Sequence, residues 1–535
     1  MTTLGSRTTL RALTALTIFG VLGCGGAQHP RTTARAPEPE PALPLLPWQA
    51  SRAAAPTIDS PLVAITGATV MTATGQIIEH GVVVIEDGTI RAIGAAADVT
   101  IPDGAQVIDA TGRFVTPGII DTHSHMGVYP VPDVHAHDDG NEATSPVTAQ
   151  VRAIDSFWPQ DPALARALAA GVTTIQVLPG SANLIGGAGE TIHMHLGRTA
   201  TEMEFPFAPD TMKMACGENP KRVYGERDSF PSTRMGNVAG YRQAFQHALE
   251  YGRTWAHWQE EQQQWQRQED RWERHQREQM EHIDAEHRAE AVRAVEGDDA
   301  ATSSEDEPTD PGPAPTPPDR DFGLELLLGA IEGRVLVQMH CYRADEMARM
   351  IEISHEFGFR IRSFHHAVEA YKVRDLLAAE DISISTWADW WGFKLEAFDS
   401  IPENLALLTQ AGVRGVVHSD SAMLVQRLPQ EAAKAMTAGR AAGIDITEDQ
   451  ALRWLTANPA WTLGLDDRIG TLEVGHVADV VVWSGSPFSV YTHADLVFVD
   501  GVLEYDRARD GDAPVTDFET GLDLEPADET TGGAR

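Results

Sequence analysis

Cysteine is scarce in this chain. The 535 residues contain three, Cys24, Cys216 and Cys341, too few for a disulfide framework. Cys216 and Cys341 read as small buried hydrophobes. Positive charge is also under-represented. Lys and Arg number 41 against 78 Asp and Glu, for a net charge of −37. No basic stripe is present, which argues against nucleic-acid binding. The acidic excess favours solubility and carries no information about fold. Long apolar runs are missing where a membrane span would need them: Ala12–Gly23, at about 12 residues, is too short to cross a bilayer as a helix. What is present is a 42% hydrophobic content, enough for a large core, in a length that accommodates a barrel of about 250 residues or more.

The short apolar run suits a signal peptide, because Arg7 and Arg11 precede it. It ends in Val21-Leu22-Gly23-Cys24, which resembles a bacterial lipobox. That resemblance implies a lipoprotein signal over 1–23, cleavage before Cys24 and lipidation of Cys24. An ordinary signal peptide with an incidental cysteine is the alternative. Gly25 carries no obvious inner-membrane retention signal, so the expected location is the cell envelope, on an outer-membrane anchor facing the periplasm. Residues 24–58, with "RAPEPEPALPLLP", read as a Pro-rich tether.

Residues 59–116 alternate short β-rich runs with turns, including Asp87-Gly88, a strong hairpin signal. Residues 467–506 repeat the pattern, with a turn at Asp500-Gly501. The two pieces predict one small β-sandwich domain built from both ends of the chain. Between them, residues 117–466 alternate strand and helix patterns, which predicts parallel βα units. An insertion over 241–321 interrupts them. Residues 241–295 lack proline and should be helical, with Tyr251, Trp258, Trp265 and Trp272 at heptad intervals and Trp255 on the same stripe. The stripe either packs on the barrel or another helix, or binds a partner or a second copy. The acidic, Pro-rich residues 298–321 read as a disordered linker, and 507–535 as an acidic tail.

The chemistry begins in "RFVTPGIIDTHSHMG", residues 113–127. A strand places residues i and i+2 on one face, so His123 and His125 can present two imidazoles to one metal. They end what should be the first barrel strand, and barrel enzymes keep their chemistry at C-terminal strand ends. The pattern His-x-His alone is weak. His135 and His137 lie in a polar stretch and read as loop, not ligands. His193 and His195 sit in a strand-like run and could line the barrel mouth, in a structural or substrate-facing role rather than as ligands.

"VTPGIIDTHSH" resembles the first-strand signature of the amidohydrolase superfamily. "GVTTIQVLPGSANLIGGAGE", "KMACGENPKRVYG" and "VGHVADVVVWSGSP" are similar to its imidazolonepropionase-like members. The likeness covers about residues 60–505 apart from the insertion. It implies a (β/α)8 TIM-like barrel with a small β domain, and a mouth holding one or two divalent ions, with zinc the expected metal. It also implies further ligands. His340 matches the fifth-strand histidine. "FRIRSFHHAVEAYKV" ends the next strand in two histidines; the family pattern places the ligand at His366, three residues before Glu369, with His365 the alternative. Asp420, in "GVRGVVHSDSAM", matches the eighth-strand aspartate that touches metal and moves the proton; a helix N-cap is the other reading. Two-metal members add a bridging carboxylate or carboxylated lysine, for which Glu218 is preferred over Lys213. Lys221, Arg222 and Tyr224 either contact substrate or shape the loop.

These residues imply a hydrolase cleaving a C–N bond in an amide, cyclic amide or dipeptide, by metal-activated water with Asp420 as proton shuttle. A deaminase or esterase-like activity is the nearest alternative, and a non-catalytic lipoprotein scaffold the alternative from another class. A decayed site should have lost ligands, and His123, His125, His340, His366 and Asp420 are all retained.

Overall fold

Two faces of the same short strands build this molecule. In the computed structural model, which describes residues 60–132, 134–293, 308–390 and 392–511, the strand β14 (Val480–Trp483) is buried along its whole length. Successive strand side chains point to opposite faces. Val480 and Val482 join the core of a terminal sheet, whereas Val481 and Trp483 join the core of a barrel. The apolar run "VVVW" thus satisfies two cores at once.

The terminal sheet takes strands from both ends of the chain: β1 (Val63–Met71), β2 (Ile77–Glu86), β3 (Thr89–Ala95), β4 (Gln106–Asp109), β5 (Phe114–Pro117), β14, β15 (Ala494–Val499) and β16 (Val502–Asp506). Their order is β16-β15-β14-β5-β1-β2-β3, with β4 also paired to β1. Both predicted turns are present, at Asp87 and Asp500, each with positive φ. Hydrogen bonding joins all eight strands into one continuous sheet; the pairing does not divide them into the two facing layers expected of a sandwich.

The second sheet is a nearly closed barrel: β6 (Ile119–Ser124), β7 (Val172–Val177), β8 (Ile185–His193), β9 (Asp210–Ala215), β10 (Val335–His340), β11 (Ile361–His365), β12 (Ser383–Thr386) and β13 (Gly415–Val417). Strands β6 to β8 are buried on both faces, as strands covered by helices must be. Uniform parallel βα units do not hold throughout. Strand β8 runs antiparallel to both β7 and β9, because residues 178–184 are too few for the crossover that a parallel neighbour needs. Trp483 fixes barrel to sheet. Its ring stands where a Cβ on Gly171 would lie, 2.7 Å away, and Gly171 has φ +87°; its indole N–H donates to Thr116 Oγ1 at 2.9 Å.

The predicted helix spans Arg234–Arg293. Tyr241, Phe245, Ala248 and Trp255 bury one face of it, and Phe245 stacks on Phe359 with ring centroids 4.2 Å apart. Further along, the stripe is covered by the chain itself. Trp258 Nε1 donates to the carbonyl of Pro315 at 3.1 Å, and Trp265 Nε1 to that of Gly312 at 2.8 Å. The expected disordered linker is therefore ordered over 308–321: an irregular proline-rich strand keeps its carbonyls free, and the tryptophans use them. Residues 294–307, the signal and tether over 1–58 with Cys24, and 512–535 of the tail lie outside the described residues.

Cys216 and Cys341 are buried as expected, but they are joined in a disulfide, with Cα atoms 5.2 Å apart. The register explains it. Ala215 on β9 pairs with His340 on β10, so the next residues of two parallel strands stand side by side. Spacing across 125 residues hides that neighbourhood from the sequence. Peptide mapping without reductant should recover the two cysteines as one cross-linked species, and replacing both by alanine should cost about 2–4 kcal/mol in a denaturant titration. Two free thiols would contradict the assignment.

Candidate metal centre at the barrel mouth

Carbonyl acceptors far from the mouth decide which ring nitrogens face it. Gln338 Nε2 donates to the carbonyl of Thr462 at 3.3 Å, which turns Oε1 toward His365 Nε2 at 2.8 Å. A carbonyl oxygen only accepts, so His365 carries its proton on Nε2 and accepts at Nδ1. His123 Nδ1 donates there, at 2.9 Å. The lone pair of His123 is left on Nε2. His125 behaves alike: its Nδ1 donates to the carbonyl of Leu178 at 2.8 Å, leaving Nε2 for the mouth. Outer partners of this kind fix tautomer and orientation in metal-binding histidines.

The freed atoms meet. His123 Nε2 lies 3.3 Å from His125 Nε2, 3.5 Å from Asp420 Oδ1 and 3.2 Å from Lys213 Nζ, and His125 Nε2 is 3.2 Å from Asp420 Oδ1. His366 and His418 stand beside them, with His418 Nε2 2.9 Å from His366 Nδ1. His123, His125 and Asp420 form one group of ligand atoms close enough to share an ion, and His123, His366 and His418 form another. His340 completes the ring, its centroid 4.6 Å from that of His366. Its Nδ1, like His418 Nδ1, is buried with no hydrogen-bond partner among the described residues. His123 Nε2, His125 Nε2 and Asp420 Oδ1 are acceptors that meet with only the Lys213 amine to donate among them, an arrangement that costs free energy and that a cation relieves. The donor set therefore fits a divalent metal.

Electrostatics agree with geometry. Burial holds His123, His340, His365 and His366 well below the usual imidazole range, so they are neutral; His123, His340 and His366 are able to ligate, while both ring nitrogens of His365 are engaged by Gln338 and His123. Burial likewise lowers His418 to about 4 and Lys213 to about 7. Asp420 is opposed by burial, but His125, His418 and Lys213 keep its carboxyl below the ordinary value. Asp121 is pushed up to about 7 by burial, although Ser419 donates to it twice. Through Ser419, and through the Asp420 amide donating to the His123 carbonyl at 3.0 Å, the last barrel strand is tied to the first. His366 and Asp420 both have positive φ, 59° and 52°, a strain found at sites whose surroundings over-determine the backbone.

The structure brings His123, His125, His340, His366 and Asp420 together at one end of the barrel. Glu218 does not join them. It opens a helix beyond β9, with its carboxylate 3.8 Å from Lys394 Nζ, while Lys213, on the strand itself, reaches His123. The strand's alternation sets this difference: Lys213 faces the barrel interior, and Glu218 lies past the strand end. Tyr224 is committed to shaping the loop. Its hydroxyl donates to the Ser145 carbonyl at 2.5 Å and accepts from Asn183. Lys221 is half-buried and Arg222 exposed on the same helix. His135 and His137 form a short turn and are not among the clustered ligand atoms, with His137 against Trp158. His193 and His195 are not at the mouth either, because the antiparallel β8 ends at the opposite face of the barrel.

Several participants escape the sequence. His418 lies one residue past β13 and two before Asp420, where the positive φ of Asp420 has already broken the strand alternation that would reveal it. The mouth wall had no local signature: Trp387 stacks on His366 with centroids 4.8 Å apart, and Tyr342 at 5.4 Å. Lys394 sits 3.9 Å above the Tyr342 ring and donates to Asn219 Oδ1 at 3.3 Å.

A profile of the Amidohydrolase family matches residues 106–505. The chain belongs to this amidohydrolase family. It has the mixed α/β fold of that family's barrel. An amidohydrolase structure from Thermotoga maritima is similar over 83% of this chain and 100% of its own, with 33% identity and a TM-score of 0.66. Amidohydrolase tasK of Hapsidospora irregularis is 33% identical over 441 residues, 80% of this chain. The chain spans only 40% of that relative's length. An imidazolonepropionase of Brevibacillus brevis is 40% identical over 72 residues, 12% of this chain and 15% of its own, so that likeness is confined to a short stretch.

The relay makes a prediction of its own. His365→Asn or Gln338→Leu should weaken divalent-ion affinity about 10–100-fold, read by competition with a chromophoric chelator. Unchanged affinity would remove the relay from the account.

Proposed function

We propose that this amidohydrolase cleaves a C–N bond in an amide, cyclic amide or dipeptide, using one or two divalent ions, with zinc the expected metal. The observation that carries the proposal is the convergence of His123 Nε2, His125 Nε2 and Asp420 Oδ1 within 3.5 Å of one another, beside His340, His366 and His418. Lys213 is the proposed bridging residue in place of Glu218. It is wholly buried and burial lowers its amine to about 7, so a substantial share is unprotonated at neutral pH and able to be carboxylated. A divalent ion bound there supplies a nucleophilic water at neutral pH, its pKa lowered from about 15.7 to about 7, and polarises the scissile carbonyl.

The chain's own residues do the rest. Asp420, the one ligand with a quarter of its side chain exposed (26%), takes the proton of the attacking water and delivers it to the leaving nitrogen. Its depressed pKa keeps it ionised and ready to accept. Trp387 and Tyr342 wall one side of the mouth and exclude bulk water. Asn219 and Lys394, on the rim, are placed to orient the polar part of a substrate.

Chelator treatment should abolish hydrolysis across a panel of amides and dipeptides, and zinc should restore it. Asp420→Asn should lower kcat by about a hundred- to ten-thousand-fold. Lys213→Met should lower metal content where Glu218→Gln should not. Activity that survives complete metal removal would end this reading.

We also propose that the protein works outside the cytoplasm, anchored through Cys24. The disulfide supports an oxidising compartment. Among the described residues no helix is long and apolar enough to cross a membrane. Fractionation should recover the protein with the outer membrane, and recovery with the inner membrane would contradict that placement.

A further inference from the structure

The histidines that the antiparallel direction of β8 carries away from the mouth form a second cluster at the other end of the barrel. His193 ends β8, and His195 follows it. Both meet the terminal sheet. His193 Nδ1 lies 3.1 Å from Asp500 Oδ2, and His195 Nε2 lies 2.9 Å from the same oxygen. The remaining nitrogen of each ring has a carboxylate of its own. His193 Nε2 is 2.9 Å from Asp479 Oδ1, and His195 Nδ1 is 2.6 Å from Glu504 Oε1. Asp479 is held in place from behind, since it also accepts from the Asp500 amide at 3.1 Å.

This arrangement has the parts of a metal centre. Two imidazoles and one carboxylate present one atom each within 4.8 Å of one another. Each imidazole is backed by a second carboxylate, the outer partner that orients metal-binding histidines and raises their basicity. Ligand atoms about 2 Å from a zinc ion lie roughly 3.3 Å apart at a tetrahedral angle, and the distances to Asp500 Oδ2 are a few tenths of an ångström shorter. Ionised carboxylates only accept. Each of the four ring nitrogens faces one, so between the rings and Asp500 there must be either two protons or one divalent cation. His193 is buried while His195 and Asp500 are about a fifth exposed, which leaves an entry path and room for a water as fourth ligand.

We propose that His193, His195 and Asp500 bind a divalent transition ion of the zinc type, with Asp479 and Glu504 as its outer partners. The ion is structural. It lies at the face opposite the mouth and joins the end of β8 to the β15–β16 turn, so it staples barrel to terminal sheet. Imidazole and carboxylate donors select zinc or a similar ion over calcium or magnesium.

The test uses the full chain, stripped with chelator and reloaded with zinc alone, with bound ions counted by elemental mass analysis. His195→Gln and Asp500→Asn should each bind one ion fewer than the parent and keep hydrolytic activity. Glu504→Gln should keep the ion with about 10–100-fold weaker affinity. Equal ion counts in the parent and both variants would overturn the proposal in favour of a purely ionic cluster of protonated imidazoles. Zinc-edge anomalous scattering from crystals of the parent, which needs no variant to fold, decides independently. A peak between His193, His195 and Asp500 supports the site, and none at saturating zinc overturns it.

Discussion

Everything at the barrel mouth depends on where one proton sits in His123. The carbonyl of Thr462 orients Gln338, Gln338 sets the tautomer of His365, and His365 takes the Nδ1 proton of His123. Each link is buried, and the Thr462 carbonyl and Gln338 Oε1 can only accept, which leaves His365 Nδ1 as the acceptor for His123. The consequence is a lone pair on His123 Nε2, aimed at His125 and Asp420 in a pocket of low dielectric. The Lys213 amine can donate to only part of that set, and a divalent cation relieves the remaining repulsion. The network therefore spends its hydrogen bonds on creating an anion-like cavity, and the neutral, burial-depressed imidazoles around it remain free to ligate.

The scaffold makes that cavity rigid. Strand ends from β6, β9, β10, β11 and β13 converge on it, and contacts outside the mouth fix their register. Ser419 and the Asp420 amide tie the last strand to the first. The disulfide ties the end of β9 to the end of β10, one residue beyond His340. At the other end, Trp483 and the His193–Asp500 cluster hold the barrel to a sheet assembled from both chain ends. A sheet shared by distant segments closes the chain on itself, so fraying at either segment is opposed by the other.

Sequence patterns revealed much of this and missed the rest for definite reasons. Period-two alternation was enough for His123 with His125, and the motif likeness was enough for His340, His366 and Asp420. His418 was missed, because β13 stops at Val417 and neither His418 nor Asp420 lies in the regular strand. The choice between Glu218 and Lys213 turned on where β9 stops, and strand ends are what a single sequence specifies least well. The direction of β8 followed from the shortness of residues 178–184, a constraint that a uniform βα pattern overrides too readily. The disulfide, the Trp387–Tyr342 wall and the Trp265–Gly312 contact join residues far apart in the chain, and no local pattern carries them.

The central claim is that the mouth histidines hold a divalent ion. Elemental analysis of the purified protein beside its His123→Ala variant tests it most directly. The account predicts tightly bound divalent metal in the parent, with at least one equivalent missing from the variant while the fold, followed by circular dichroism, is kept. Equal metal content in the two proteins, or none in the parent after reconstitution with zinc, would contradict it.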